Sequence, residues 1–336
     1  GILPGPSSTQ SIVAIGHKIG GPKLAVLTMV IWALPVLIIM TALSFLSQFM
    51  EGINLSQDGL RFVGPMAVGF IIAAAYRISK KVIKDKITFG LFLLGAIMTY
   101  FFRNAWVFPL VLFMGGVVAI ISSPEKNLWN KVTVRPPWKY LIAFSVFAMG
   151  GLILNTITDN KIIDLFESFY RYGYLVIGGG QVVVPLMHTD LVEVNQYMTN
   201  REFLTGFGIV QGMPGPMFSF SAYAGGMAAR GHGWFYQILG AVAGGIGIFL
   251  PGILLIFFVY PIWEDLKKIK GIKVSLKGIT AVAGGLITTS AIVLMISSGL
   301  FLENFLVMVL TVILLMSKKI PAPLIVMGVL ILGFLW

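Results

Sequence analysis

Four stretches of this chain, 24–46, 140–158, 236–260 and 278–302, contain no Asp, Glu, Lys or Arg. A helix rises about 1.5 Å per residue, so roughly 20 apolar residues cross the ~30 Å hydrocarbon layer of a bilayer. Runs this long and this apolar cannot be covered by the polar surface of a water-soluble domain. The rest of the chain offers no such cover, because 57% of its 336 residues are hydrophobic and only 11% charged, with a mean hydropathy of +0.92. Soluble domains carry about 25% charged residues. The sequence therefore specifies an all-α integral membrane protein. Disorder, coiled coil and an ordinary soluble enzyme are excluded by the same numbers. The absence of cysteine excludes a disulfide scaffold and thiolate metal sites.

Shorter or glycine-broken candidate spans lie at 64–76, 87–102, 105–121, 174–187, 203–229, 305–316 and 321–336, with an incomplete piece at 2–16. Together they give about twelve membrane segments. The net charge of +11 does not point to nucleic acid, because the basic residues sit in short clusters between apolar runs rather than along one solvated face. Lys18 and Lys23 make the first connection basic, and Glu51 and Asp58 make the second acidic. Basic residues return at Arg77, Lys80, Lys81, Lys84 and Lys86, and again at Lys126, Lys131, Arg135 and Lys139. Basic connections thus recur at every second loop. Residues 267–277 and the pair Lys318 and Lys319 keep this phase if the two glycine-rich segments near 174–229 each cross or both dip and return. By the positive-inside rule these loops are cytoplasmic and the C-terminus lies outside.

The sequence also repeats itself. Pro4-Gly5-Pro6 is followed by Gly16, and Pro214-Gly215-Pro216 by Gly226, at an offset of 210; Pro35 matches Pro251 at 216. Gly64-Pro65-Met66-Ala67-Val68 lies 214 residues before Gly278-Ile279-Thr280-Ala281-Val282, and Pro109-Leu110 the same distance before Pro323-Leu324. Landmarks in one order at nearly one offset argue for a duplicated unit. Combined with the charge phase, they place the two copies in opposite orientations: a first repeat at 1–124, a linker with one transmembrane helix at 125–163, and a second repeat at 164–336. Inverted repeats with broken or re-entrant helices are a transporter design in which substrate binds where the breaks meet. The first copy starts almost on its Pro-Gly-Pro motif, and the chain does not begin with Met. An N-terminal portion of the natural protein is therefore expected to precede it.

Catalytic constellations are not evident. His17, His188 and His232 are far apart, and no nucleophile elbow, P-loop or pair of intramembrane carboxylates occurs. The informative segments are polar and glycine-rich at membrane depth. In Gln211-Gly212-Met213-Pro214-Gly215-Pro216 the prolines remove backbone donors and forbid a continuous helix, so a new helix is expected near Pro216. Its free N–H groups carry about half a positive charge and suit an oxyanion without burying Lys or Arg. Ser219 and Ser221 here, and Ser7, Ser8, Thr9 and Gln10 in the first copy, add hydroxyl and amide donors, and Gln211 can reach back into the break. Gly178-Gly179-Gly180-Gln181, followed by Pro185, is the other break, where unwound peptide must be satisfied by protein, water or substrate. The predicted substrate site therefore comprises Pro4, Gly5, Pro6, Ser7, Ser8, Thr9, Gln10, Gly178, Gly179, Gly180, Gln181, Gln211, Pro214, Gly215, Pro216, Ser219 and Ser221.

Charged residues nearby have plainer readings. Arg230 and His232, like His17 and Lys18, fit helix-end anchors at the headgroups, with attraction of anions at a mouth as the alternative. Asp190, Glu193 and Glu202 fall in the connection between the two broken segments, where solvated loop charge is the default and a coupling proton the alternative. His188, Glu193 and Glu202 are the candidates for coupling or gating.

At these residues the sequence resembles the chromate transporter family of bacterial membrane proteins. Gly178-Gly179-Gly180 through Pro185-Leu186 is similar to its glycine-rich first motif, with His188 and Glu193 at positions the family fills with polar groups. Met198-Thr199 through Glu202-Phe203, Gly206, Gln211 to Pro216, Tyr223 and Gly226 resemble its second motif, and Pro4-Gly5-Pro6-Ser7-Ser8-Thr9-Gln10 the first-domain version. The resemblance covers essentially the whole chain, though the family's first-domain Gly-Gly-Pro segment is absent. It implies a two-domain carrier that exports chromate across the bacterial cytoplasmic (inner) membrane, with sulfate as the related oxyanion and no cofactor. Helix-end donors read shape and charge, not the central atom. An anion channel on the same breaks is the alternative. The expected partners are thus an inorganic oxyanion and the lipid bilayer, without nucleic acid or metal; a homodimer is compatible with the sequence.

Overall fold

A computed structural model describes residues 7–52, 57–102, 107–125, 127–129, 135–175, 180–299 and 301–335, and over these the protein is helical, with no strand. The helices are α1 (Ser7–Gly52), α2 (Val63–Val82), α3 (Lys86–Phe101), α4 (Val107–Ile121), α5 (Trp138–Ile157), α6 (Lys161–Leu175), α7 (Val184–His188), α8 (Asn200–Val210), α9 (Phe220–Ala229), α10 (Trp234–Val259), α11 (Trp263–Leu266), α12 (Lys270–Ser297), α13 (Leu302–Ser317) and α14 (Ala322–Leu335). Four helical stretches are long and apolar enough to cross a membrane: Thr9–Ser47, Trp138–Ile157, Trp234–Leu266 and Lys270–Ser297. They contain the four charge-free runs almost entirely. The last begins eight residues before the run at 278, because Lys270, Lys273 and Lys277 extend the helix while their ammonium groups reach water.

α1 is two helices. Gly20 (φ −140°, ψ 22°) and Gly21 (φ 70°, ψ −165°) leave helical geometry, and Gly21 takes a left-handed φ that a side chain would resist. Limbs 7–19 and 22–52 fold back on each other there, so that a methyl group on Gly16 would lie 2.6 Å from Thr28 Oγ1 and 2.9 Å from Ala25 Cα. α9 and α10 repeat this form around Gly233 (φ 96°), and Gly225 there packs against the carbonyl of Gly240. The kink-prone prolines also recur, Pro35 inside α1 and Pro251 inside α10.

The centre of the bundle is the crossing of α2 and α12, whose middle turns are almost wholly buried. α12 packs on α3 and α4, and α2 packs on α13 and α14. Small residues permit the close approach: Gly278 meets the carbonyl of Gly115, and Gly285 that of Phe92. α5 lies at the periphery against α6 and α10 and is mostly exposed.

The two glycine-rich segments dip and return, the second of the two arrangements the charge phase allows. In the first hairpin, α6 descends and 180–194 climbs back beside it: Asp190 meets Arg171 and Tyr172, and higher up Tyr197 donates to Asp164 (2.8 Å). In the second, α8 descends and 217–229 returns, with Phe207 against Phe220 (5.9 Å between ring centroids) and the Tyr223 hydroxyl donating to the Glu202 carbonyl (3.1 Å). Neither 174–187 nor 203–229 is therefore a crossing span. Both hairpins open toward one end of the bundle, where Arg61 pairs with Glu303 and Asn200 donates to Ser297. The opposite end carries Arg77, Lys80, Lys81, Lys84, Lys277 and Lys267, with Lys277 on Asp85 (2.6 Å) and the backbone of Gly271 on Leu128 (2.8 Å).

Candidate functional site

The helix break in the second hairpin runs from Gln211 to Pro216. α8 ends in overlapping turns, in which the amides of Gln211, Gly212 and Met213 reach back to Gly208, Ile209 and Val210. Pro214 and Pro216 donate nothing, and Pro216 is extended (φ −73°, ψ 128°). A tight turn at Met217–Ser219 then leads into α9. Gly215 is pressed against the second limb of α1: a methyl there would stand 2.5 Å from Val36 Cγ2 and 3.5 Å from the carbonyl of Trp32. Helix interruption, expected from two prolines around a glycine, is what the chain does.

The tips of the two hairpins meet. A methyl on Gly180 would lie 3.2 Å from Met217 Sδ and 3.5 Å from the Phe218 ring. The start of α1 joins them, since Thr9, Gln10 and Val13 share with Gly173, Phe218 and Phe249 a cavity of about 20 Å³. A second space, of about 10 Å³, is enclosed by Val183, Met187, Phe203, Phe207 and Phe218 and is wholly apolar. Each has room for about one water molecule.

Around these tips lie buried polar atoms with no hydrogen-bond partner among the described residues. Ser219 Oγ and Ser221 Oγ belong to residues that are 0% exposed, Thr9 Oγ1 to one that is 6% exposed, and Gln181 Oε1 and Gln211 Nε2 are buried as well. Leaving a polar group unsatisfied in the interior costs about 1–3 kcal/mol. Five such atoms among the residues flanking the breaks are an expensive arrangement for packing alone. Trp32 Nε1 is a further unpartnered buried atom among the described residues, a donor on the limb that meets Gly215, and sequence reasoning passed over it. An indole in an apolar run reads as core, and only its neighbour across the fold marks it.

Several predicted site residues are not placed. Pro4, Gly5, Pro6, Gly178 and Gly179 lie outside the described residues, and for Ser7 and Ser8 only the helical backbone is described. The charges between the broken segments require correction. Asp190 and Glu202 are not solvated loop groups but 6% and 7% exposed, in a π-helical turn (Thr189–Val194) and the first turn of α8. Packing of the return limb on α6 removes water from Asp190. In exchange it accepts from Tyr172 (2.5 Å), Arg171 (3.2 Å) and Asn195 (2.9 Å). Arg171 also binds Glu167 (3.1 Å), so a buried network crosses from α6 to the return limb; α6 itself was not expected as a membrane-depth helix because of these charges. His188, 5% exposed, shares a hydrogen bond with Asn200 (2.9 Å) and approaches Glu193 (3.6 Å). Arg230 pairs with Glu202, which also caps the Thr199 amide (2.6 Å). His17 packs its ring on Phe257 and Tyr260 (5.2 and 5.6 Å between centroids). Coupling and gating candidates thus sit toward the open ends of the hairpins, whereas the unpartnered donors sit at their tips.

A bundle of apolar spanning helices with two polar-tipped hairpins folded into it is the architecture of a polytopic membrane transport protein. Comparison with known proteins gives its family. The profile of the family described as chromate transporter matches residues 1–120 and 163–334, and the chain belongs to that family. It is 25% identical over its whole length to a probable chromate transport protein of Synechococcus elongatus, of which 83% is covered. It is 26% identical over 99% of its length to a chromate transport protein of Cupriavidus metallidurans, of which 80% is covered. An uncharacterized transporter of Methanocaldococcus jannaschii is 24% identical over 79% of the chain and 65% of its own length. No solved structure matches the chain. The family is one of transport proteins and not of enzymes.

Proposed function

We propose that this protein exports chromate, with sulfate as the related tetrahedral dianion, by alternating access around its two hairpin tips and the start of α1. The observation that carries the reading is the set of unpartnered buried atoms at Thr9, Gln211, Ser219 and Ser221 beside the Pro-Gly-Pro break. Hydroxyl, amide and backbone N–H donors suit a dianion, and they avoid the cost of burying a cation at membrane depth. The printed names of the relatives from Synechococcus and Cupriavidus support chromate as the cargo.

A duplicated, inverted unit supplies the movement. Its support is that α2 packs on α13 and α14 as α12 packs on α3 and α4, that glycine turns follow both half-helices, and that the family profile matches on either side of α5. On this reading 1–124 and 164–336 are the two repeats and 125–163 the linker. The limb 7–19 runs from the centre toward the basic end while α9 runs toward the other, as inversion requires. The basic end faces the cytoplasm of a bacterial inner membrane. At about 100 mV, inside negative, a dianion leaving the cell gains about 4.6 kcal/mol, so efflux has an electrical driving force without an obligatory coupling ion.

The spaces between the described residues at the tips hold about one water each. A tetrahedral dianion needs more room, so the hairpins must part from α1 to admit it. That favours a carrier over a standing channel. Proteoliposomes loaded with radiolabelled chromate or sulfate test the proposal. Ser219→Ala, Ser221→Ala and Gln211→Ala should each lower apparent affinity about tenfold or more, the worth of one hydrogen bond to a charged group, while thermal stability holds or rises. Unaltered flux in all three variants would sink the site, and currents without saturation or counterflow would sink the carrier.

A further inference from the structure

At the basic end, where α2 and α12 emerge from the bundle, they enclose a cleft of about 410 Å³ between Arg77, Lys81 and Lys84 on one side and Lys277 and Thr280 on the other. It shares no lining residue with the cavities at the hairpin tips. Its floor is apolar, formed by Ile78 and Val82. Of its four cations only Lys277 has a carboxylate partner among the described residues, Asp85. The Arg77 guanidinium donates through Nε to the Ala73 carbonyl (3.1 Å), which holds it along the helix end, and Lys81 and Lys84 form no ion pair there. Three cations are therefore gathered over an apolar floor without compensating charge. The adjoining first turn of α3 leaves Ile87 and Phe89 exposed, so the surface beside the cleft suits acyl chains.

We propose that this cleft binds the phosphate of an anionic phospholipid, with Arg77, Lys81 and Lys84 on the headgroup oxygens, Lys277 and Thr280 at its far wall, and the acyl chains leaving over α3. A volume of about 410 Å³ exceeds what a five-atom oxyanion fills and accommodates a phosphoglycerol headgroup. The position at the end of α12, one of the four helices long and apolar enough to cross a membrane, with the end of α2 beside it, is the level at which lipid phosphates lie, and basic pockets between helices there attract anionic headgroups. The seam it would bridge is the central crossing of the bundle, so an anionic lipid there ties α2 to α12.

Native mass spectrometry of the full chain, released from detergent with added phosphatidylglycerol or phosphatidylcholine, tests this. The parent should retain phosphatidylglycerol in preference to phosphatidylcholine. The variant R77Q/K81Q/K84Q should bind it more weakly by about fivefold for each charge removed. K318Q/K319Q, which removes charge elsewhere at the same end, should bind as the parent does. The assignment is overturned if the parent shows no preference between the two lipids, if the triple variant binds as the parent does, or if the control loses as much. It is also overturned if inorganic phosphate displaces the lipid at equal concentration, which would make the cleft a site for a free oxyanion.

Discussion

Glu202, in the first turn of α8, forms an ion pair with Arg230, the residue after α9, and the two limbs of the second hairpin are thereby tied at their open ends. Glu202 is otherwise almost buried, and its other carboxylate oxygen accepts from the Thr199 amide, while the Tyr223 hydroxyl donates to its carbonyl. The polar tip of the hairpin is held at depth by a clasp formed near the surface.

Opening that clasp should cost stability in a coupled way. Arg230→Gln removes the cation bound to a buried carboxylate and should destabilise by about 1–3 kcal/mol, less than the roughly 3–5 kcal/mol for breaking a fully buried pair, because the arginine is partly exposed. Glu202→Gln should cost less than Arg230→Gln, and the double variant less than the sum of the two. A thermal-unfolding cycle in detergent checks this; strict additivity would show that the pair is not coupled.

Close packing of the half-helix against α10 should tolerate no added carbon. A methyl on Gly225 runs into the carbonyl of Gly240, and one on Gly240 into that of Gly225, with the Ala229 side chain also in the way. Backbone cannot yield as a side-chain end can. Gly225→Ala should therefore lower the unfolding temperature clearly, by the 1–3 kcal/mol typical of overpacking. Gly90→Ala in α3, where nothing lies within 4 Å, should be neutral or stabilising by about 0.5–1 kcal/mol, the gain in helix propensity. Equal effects at the two positions would refute the packing argument.

At the basic end, Asp85 caps α3 and binds Lys277. The ammonium and the Thr88 backbone and hydroxyl donors hold its carboxyl well below the usual range, at about 2. A depressed acid contributes stability above its unfolded value, near 4, that is lost as pH falls through the folded value. The contribution should therefore be complete at neutral pH and vanish between about pH 4 and pH 2. Because the pair is exposed, the effect is small. Asp85→Asn keeps the cap and loses the pair, whereas Asp85→Ala loses both and should cost about 1 kcal/mol more. Unfolding temperatures of the three proteins at pH 7 should be ordered Asp, Asn, Ala, with Asp and Asn converging in acid.

The hydrophobic runs announced the spanning helices because a bilayer imposes its thickness on any chain that crosses it, and composition alone shows which segments comply. The two prolines around Gly215 likewise announced a break, since a missing donor acts wherever the helix lies. Less visible was α6. Its Glu167 and Arg171 are buried, and what satisfies Arg171 across the fold is Asp190, which comes from the return limb 19 residues away. Nor does the sequence show that Arg230 pairs with Glu202, 28 residues earlier.

From sequence alone came the lipid environment, the helical class, the interrupted segments and the polar residues that flank them, because these follow from local chemistry and from the solvent the chain must meet. Tertiary structure decided that both glycine-rich segments turn back instead of crossing, that their tips meet the start of α1, and which buried hydroxyls are left without partners. Those outcomes depend on which residues, tens or hundreds of positions apart, reach hydrogen-bond distance, and no local pattern encodes that.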